Sequence, residues 1–72
     1  MKTWADISNE QKADAALYAE GVERKDIVAE MDRLDSEWAA LKAQYTGDPV
    51  RVQMEANREM RAALLHRLNA GK

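Results

Sequence analysis

The sequence predicts an all-α protein with a short N-terminal helix and a long antiparallel helical hairpin, a coiled-coil-like three-helix arrangement able to dimerise into a bundle. Three observations predict this fold. Ala, Leu, Glu, Lys, Arg and Met, which favour helices, dominate a chain of 72 residues that contains no Phe. Apolar residues recur every three or four positions over long stretches. Gly and Pro occur only between or after these stretches, where helices end.

The first helix is predicted over residues 9–20. Ser8 and Gln11 have the spacing of a capping box, in which a hydroxyl and a side-chain amide satisfy free backbone groups at a helix start. Gly21 is placed to end the helix, because glycine enters the left-handed conformation without steric cost. Trp4 precedes this predicted helix, either as a clamp on the hairpin or as an exposed anchor for a partner.

The second helix is predicted over residues 23–45. Its apolar residues follow alternating steps of four and three, the heptad pattern that places one narrow apolar seam along a helix. The seam residues are Ile27, Met31, Leu34, Trp38, Leu41 and Tyr45. This unbroken pattern predicts a continuous helix packed along its whole length.

The third helix is predicted over residues 49–69, and the segment Thr46-Gly47-Asp48-Pro49 both ends the second helix and starts the third. Gly47 suits the residue after a helix, Asp48 an N-cap, and Pro49 the first helical position. So short a link favours an antiparallel hairpin. The last residues, Ala70-Gly71-Lys72, are expected to fray.

Apolar residues of the third helix fall on more than one side. Its main stripe comprises Ala56, Met60, Ala63, Leu64 and Leu68, with Val52 or Gln53 at its start, while Val50, Met54 and Leu65 fall partly outside. The first helix can cover the excess with Ala13, Ala16 and Leu17, and with Ile7 and Trp4, to give a three-helix core. The alternative is that a remaining apolar patch pairs two copies or docks the chain on a partner.

Size and composition restrict the function. The 72 residues form one domain, 1–72, with a thin core and no cysteine. One histidine, His66, and two serines offer no catalytic or metal-ligating cluster, so no enzyme, cofactor, metal or small-molecule substrate is expected. No apolar run reaches the roughly 20 residues that cross a bilayer. Residues 1–10 lack the apolar core of a signal peptide, so a cytoplasmic location is expected.

Charge is divided unevenly along the chain. Residues 1–46 have a net charge of −4 and residues 47–72 a net charge of +2. Solvated helix faces with neighbouring ion pairs account for such a pattern, and so does electrostatic steering toward a partner of opposite charge. On the second interpretation the candidate partner-binding residues are Arg51, Arg58, Arg61 and Arg67, which would meet phosphates or an acidic partner; Trp4, as an exposed anchor, is the fifth candidate.

The segment Ala16-Leu17-Tyr18 with Gly21, followed by residues 24–31, resembles the first two helices of helix-turn-helix proteins of the resolvase, transposase and small-terminase kind. The resemblance covers about 16 of the 72 residues and implies DNA binding through a recognition helix starting near Ser36. The DNA-binding candidates are Arg24, Lys25, Ser36, Lys42 and Gln44. Residues 32–35 lack the glycine of that family's turn, and the heptad seam continues through them.

Two functions therefore follow from the sequence. The first is a non-enzymatic protein–protein interaction module, a small regulator or inhibitor that binds a larger protein or itself as a homodimer. Compact, acidic, cysteine-free helical chains of this kind are typical of phage and mobile-element accessory proteins, although fold alone does not determine function. The alternative is a helix-turn-helix DNA-binding protein related to packaging or recombination.

Overall fold

The computed structural model describes residues 3–45 and 47–70 of the chain. These residues form three α-helices and no strand, so the predicted all-α fold with a helical hairpin is confirmed. Helix α1 spans Trp4–Glu20, a single 3-10 turn spans Arg24–Asp26, α2 spans Ile27–Ala43, and α3 spans Asp48–Ala70. The first helix is as long as the second, 17 residues each, because α1 begins earlier and α2 is shorter than predicted.

Helix α3 is the helix against which both others pack. It runs parallel to α1, since Gln11 in the middle of α1 bonds to Val52 and Ala19, later in α1, bonds to Arg67, later in α3. It runs antiparallel to α2 as the other arm of the hairpin. The three helices form a broad, thin body with extents of 38 × 27 × 16 Å. Each helix of the hairpin therefore keeps a long side uncovered.

The start of α1 differs from the prediction. Thr3, rather than Ser8, is the N-cap: its Oγ1 accepts a hydrogen bond from the Asp6 amide at 3.2 Å, and the Thr3 amide donates to Asp6 Oδ2 at 3.3 Å. Ser8 lies inside the helix. Gly21 ends α1 as predicted, but its φ of −82° is right-handed, so the predicted left-handed conformation is wrong.

The buried side of α1 was predicted incorrectly. Ala13, Ala16 and Leu17 are exposed, and Leu17 retains 69% of its accessible surface. Ala15 and Ala19 are buried instead. The inward side of α1 thus carries small residues, and small side chains let the axes of α1 and α3 lie close together.

Helix α2 confirms the predicted seam and its continuity. Ile27 and Leu34 are fully buried, while Met31, Trp38 and Leu41 are half-buried. The helix runs through residues 32–35 without a break. It ends at Ala43, so Tyr45 lies outside it and is 54% exposed, contrary to its predicted seam role.

Gly47 was predicted to be the residue directly after the second helix, but α2 ends at Ala43, and Gly47 instead directly precedes the first residue of α3. Gly47 has a φ of +137°, a conformation that L side chains rarely adopt, and its carbonyl accepts the Arg51 amide at 3.1 Å. Asp48 is the first helical residue rather than the cap. Thr46, and the Gly71 and Lys72 expected to fray, lie outside the described residues.

The core contains a polar residue that the sequence did not predict there. Leu64, Leu34, Ile27 and Ala19 form the buried apolar cluster, with Leu64 contributed by α3. Asn57, two turns earlier on α3, has no accessible surface. Its Nδ2 donates to the Leu34 carbonyl at 2.8 Å, and its buried Oδ1 has no hydrogen-bond partner among the described residues.

Candidate protein-binding surfaces

The structure distributes the five predicted partner-binding residues over three places. Trp4 and Arg51 meet where α1 and α3 begin. Arg58 and Arg61 line a groove between α2 and α3. Arg67 is half-buried at the end of α1. The five residues predicted to bind a partner therefore belong to two separate exposed surfaces and one internal contact.

The first surface is a cleft of about 250 Å³ at the start of α1 and α3, the Trp4 cleft, formed by Trp4, Ile7, Gln11, Arg51, Glu55 and their neighbours. The Arg51 guanidinium carbon lies 4.1 Å from the Trp4 ring centroid. Such exposed cation–π contacts are worth about 0.5–1 kcal/mol. Both side chains remain partly accessible, and Trp4 is 39% exposed.

The Trp4 cleft also contains hydrogen-bonding capacity that the chain does not use. Gln11 Nε2 donates to the Val52 carbonyl at 2.9 Å, which fixes the side chain against α3. Gln11 Oε1 is buried and has no partner among the described residues. Arg51 forms no ion pair with a described acid. The cleft thus presents an aromatic ring, a cation and the Glu55 carboxylate, while Gln11 Oε1 is enclosed beneath it.

The second surface, the α2–α3 groove, has a volume of about 570 Å³. Met31, Trp38, Ala62 and Leu65 supply its apolar lining, and Asp35, Arg58 and Arg61 supply its charges. Arg61 is held in place, since its guanidinium carbon lies 4.9 Å from the Trp38 centroid and Nη1 lies 3.1 Å from Asp35 Oδ1. Arg58 is exposed and has no ionic partner in the described part of the chain.

Arg67 serves the fold. Its Nη1 donates to the carbonyls of Ala19 and Val22, at the end of α1 and just beyond it. The last carbonyls of a helix lack partners within the helix, and a cation there also favours the helix dipole. Arg67 therefore fastens the end of α1 to α3, a long-range contact that local sequence patterns do not reveal.

Replacing Arg67 with Met is expected to lower the free energy of unfolding by about 2 kcal/mol, because charge-assisted hydrogen bonds to half-buried carbonyls are lost while the aliphatic stem is kept. Urea unfolding followed by circular dichroism measures this change. Arg58→Met is the matched control, since Arg58 lies on the same helix and has no ion pair with a described acid, and at a protein concentration where the chain is monomeric it should change stability by less than about 0.5 kcal/mol. Equal effects of the two substitutions would contradict the fastening role.

A hydrogen-bond network joins α1 to α2 where their ends meet. The Tyr18 hydroxyl donates to Glu30 Oε2, and Arg33 bonds both oxygens of that carboxylate, at 3.0 and 3.3 Å. Burial, followed by the bond to Glu30, raises the pKa of Tyr18. The hydrogen bond from Arg33 lowers the pKa of Glu30. The network holds the corner of the chain, and none of its three residues lines either exposed surface.

The predicted DNA-binding residues are not brought together. Arg24 and Lys25 lie in the 3-10 turn, where Lys25 Nζ is 3.3 Å from Glu23. Lys42 and Gln44 lie at the other end of α2, roughly 27 Å away at 1.5 Å per residue. Ser36 is exposed between them.

Within residues 3–45 and 47–70, no three His, Cys, Asp or Glu side chains are grouped closely enough to hold a metal ion. His66 is exposed and lines a small cleft with Ala16 and Ala63. None of the described helices combines the length and apolarity needed to cross a membrane. Comparison of the chain with protein-family models, with curated proteins and with solved structures gave no match.

Proposed function

We propose that this chain is a non-enzymatic protein-interaction module, a small cytoplasmic regulator or inhibitor of the phage-accessory type that binds a larger protein through the Trp4 cleft. The observation that carries the proposal is the pairing of Trp4 with Arg51 at an accessible position, 4.1 Å apart. Trp and Arg are the residues most enriched among those that dominate protein–protein binding energies. The proposal requires no bond-making chemistry.

The chemistry of the cleft defines the partner segment. The Trp4 ring offers an apolar surface, and Arg51 forms no ion pair within 4 Å with a described acid, although Glu55 lines the same cleft. Gln11 Oε1 is buried and stays out of reach of a partner. An apolar side chain flanked by a carboxylate would satisfy the ring and the guanidinium at once. Arg51 would then steer association as well as bind.

The test begins with capture of partners from native lysate on the immobilised chain and their identification by mass spectrometry. Affinity for the purified partner is then measured with the wild-type chain and with Trp4→Ala. Loss of a dominant interface residue costs at least about 2 kcal/mol, so Trp4→Ala should weaken binding about thirtyfold. Arg51→Glu should also weaken it, and should slow association at low salt.

Leu17→Ala is the control for this experiment. Leu17 is a more exposed apolar residue of the same helix, at its opposite end, and its removal should leave the affinity unchanged. Unchanged binding by both Trp4→Ala and Arg51→Glu would exclude the Trp4 cleft as the binding surface.

Duplex DNA is the alternative partner and is measured in parallel. A DNA-binding chain should lose affinity steeply as salt rises, and Lys25→Glu or Lys42→Glu should reduce that affinity. Asp32 and Asp35 are exposed on α2 between the candidate cations and would repel phosphates. Salt-dependent duplex binding that ignores Trp4→Ala would replace the proposed function with this one.

A further inference from the structure

We propose that the α2–α3 groove is a self-association surface, on which a second copy of this chain packs around a two-fold axis parallel to the helices. In this arrangement α2 of each copy lies over α3 of the other. The proposal concerns a different surface from the Trp4 cleft and does not depend on the larger partner.

The first argument is the apolar character of the surface. Leu65, in the groove, is 46% exposed. Val28 is 56% exposed and lies three residues before Met31 and seven before Asp35, hence on the same side of α2. Val28, Met31, Trp38 and Leu65 therefore form one apolar strip across both helices. Contiguous apolar strips of this kind mark surfaces that are covered by a partner.

The second argument is the area that the chain leaves exposed. Its accessible surface is 5106 Å², whereas a folded monomer of its 8.1 kDa mass typically exposes about 4,500 Å². A face about 25 Å long, the length of α2, and about 20 Å wide, the span of two helices, covers about 500 Å². Two such faces bury about 1,000 Å², the lower limit for a specific interface.

The third argument identifies the occupant as a second copy. The α2 side of the groove is acidic, with Asp35 63% exposed, and the α3 side is basic, with Arg58 exposed and not in an ion pair with any described acid. Asp35 lies at the level of residues 57–61 of α3, which include Arg58, because it contacts Arg61 at 3.1 Å and the preceding Leu34 accepts a hydrogen bond from Asn57. A two-fold axis along the hairpin keeps this level and exchanges the two sides. It therefore sets Asp35 of each copy against Arg58 of the other.

This complementarity is a consequence of symmetry. A two-fold interface brings the same patch of each subunit together, so a patch with acid on one side and base on the other matches itself. An unrelated protein would need the same division of charge, at the same spacing, to fit as well.

The test is the mass of the wild-type chain by sedimentation and light scattering from low micromolar to millimolar concentration. The mass should rise with concentration toward twice 8.1 kDa. Leu65→Glu should weaken pairing at least tenfold, because a charge would be buried in the apolar strip. Leu17→Glu makes the same change at a helix position outside the groove, and should leave pairing unaffected. A wild-type chain that stays monomeric throughout, or equal effects of the two substitutions, would overturn the proposal.

A charge-exchange experiment tests the two-fold arrangement itself. Arg58→Glu alone sets two acids against each other in both halves of the interface, and Asp35→Arg alone sets two bases against each other. Each variant should pair at least tenfold more weakly than the wild type. An equimolar mixture should recover pairing as a mixed dimer, because each acid then meets a base. Native mass spectrometry distinguishes the mixed dimer from either homodimer.

Folding controls accompany the exchange. Asp35→Arg removes the contact to Arg61, an exposed pair that contributes little to stability, and far-UV circular dichroism should match the wild type for all variants. A mixture that remains monomeric, while the wild type pairs and both variants are folded, would refute the two-fold arrangement. These outcomes leave binding at the Trp4 cleft untouched, since Trp4 lies outside the groove.

Discussion

Replacing Leu64 with Ala should lower the free energy of unfolding by about 2–5 kcal/mol, the range for leucines deleted from close-packed cores. Leu64 has no accessible surface and packs in the cluster that joins Ala19, Ile27 and Leu34 from the other elements. A chain of 72 residues has a total stability of only about 4–11 kcal/mol. The substitution therefore removes a large part of the stability, and a substantial unfolded fraction is expected.

Urea unfolding monitored by far-UV circular dichroism measures this change, at a fixed protein concentration because self-association would contribute to stability. Leu17→Ala is the matched control, a leucine of the same size that is 69% exposed. It should shift stability by no more than about 0.5 kcal/mol. If the two substitutions lower the free energy of unfolding equally, the packing described for α3 is incorrect.

The second large effect is expected from Asn57→Asp, a change of nearly constant shape. The amide Nδ2 that donates to the Leu34 carbonyl at 2.8 Å becomes an oxygen, so at neutral pH a buried carboxylate would face an acceptor. An uncompensated buried charge costs about 3–5 kcal/mol. Protonation removes the charge and restores a donor toward Leu34.

The effect of Asn57→Asp should therefore depend on pH. Burial raises the pKa of the introduced carboxyl in the folded state above its unfolded value of about 3.9. The unfolded state then releases the proton first, and the variant loses stability as pH rises from about 4 toward 7. Unfolding curves across this range measure the slope. Asn9→Asp, at an exposed position of α1, is the control and should show no comparable dependence of stability on pH. If the stability of Asn57→Asp is also independent of pH, residue 57 is exposed to water and the described burial is wrong.

The hairpin was predictable because its signals are local. The seam from Ile27 to Leu41 lies within one helix, and Gly47 with Pro49 marks a turn whose conformation glycine alone adopts easily. Neither signal depends on residues elsewhere in the chain. The continuity of α2 followed from the same seam.

Helix α1 was predicted less well because two local solutions compete. Thr3 with Asp6 and Ser8 with Gln11 both have the capping spacing, and only packing on α3 selects between them. Ser8 lies inside α1, where its amide bonds within the helix, so the second box does not form. The inward side of α1 includes the polar Gln11 and buried alanines. A prediction based on hydrophobicity therefore assigned Leu17 to the buried side, although Leu17 is exposed to solvent.

The sequence identified which residues belong to the candidate surfaces, but not which of them lie together. Trp4 and Arg51 were both identified, but their contact joins residues 47 positions apart, which no local spacing reveals. Arg67 and Arg51 are both arginines of the basic third helix and look alike in the sequence, yet Arg67 donates hydrogen bonds to half-buried carbonyls. The buried Asn57 has no sequence signal, because asparagine on a helix is usually exposed.

The central position of α3 has a consequence during synthesis of the protein. The ribosome produces α1 and α2 first, yet both bury their apolar sides on the helix that emerges after them. Until α3 leaves the exit tunnel, the nascent chain has no docking surface for either helix, and chaperones can hold it. Folding is therefore expected to be completed after α3 is translated, in one cooperative event rather than in stages.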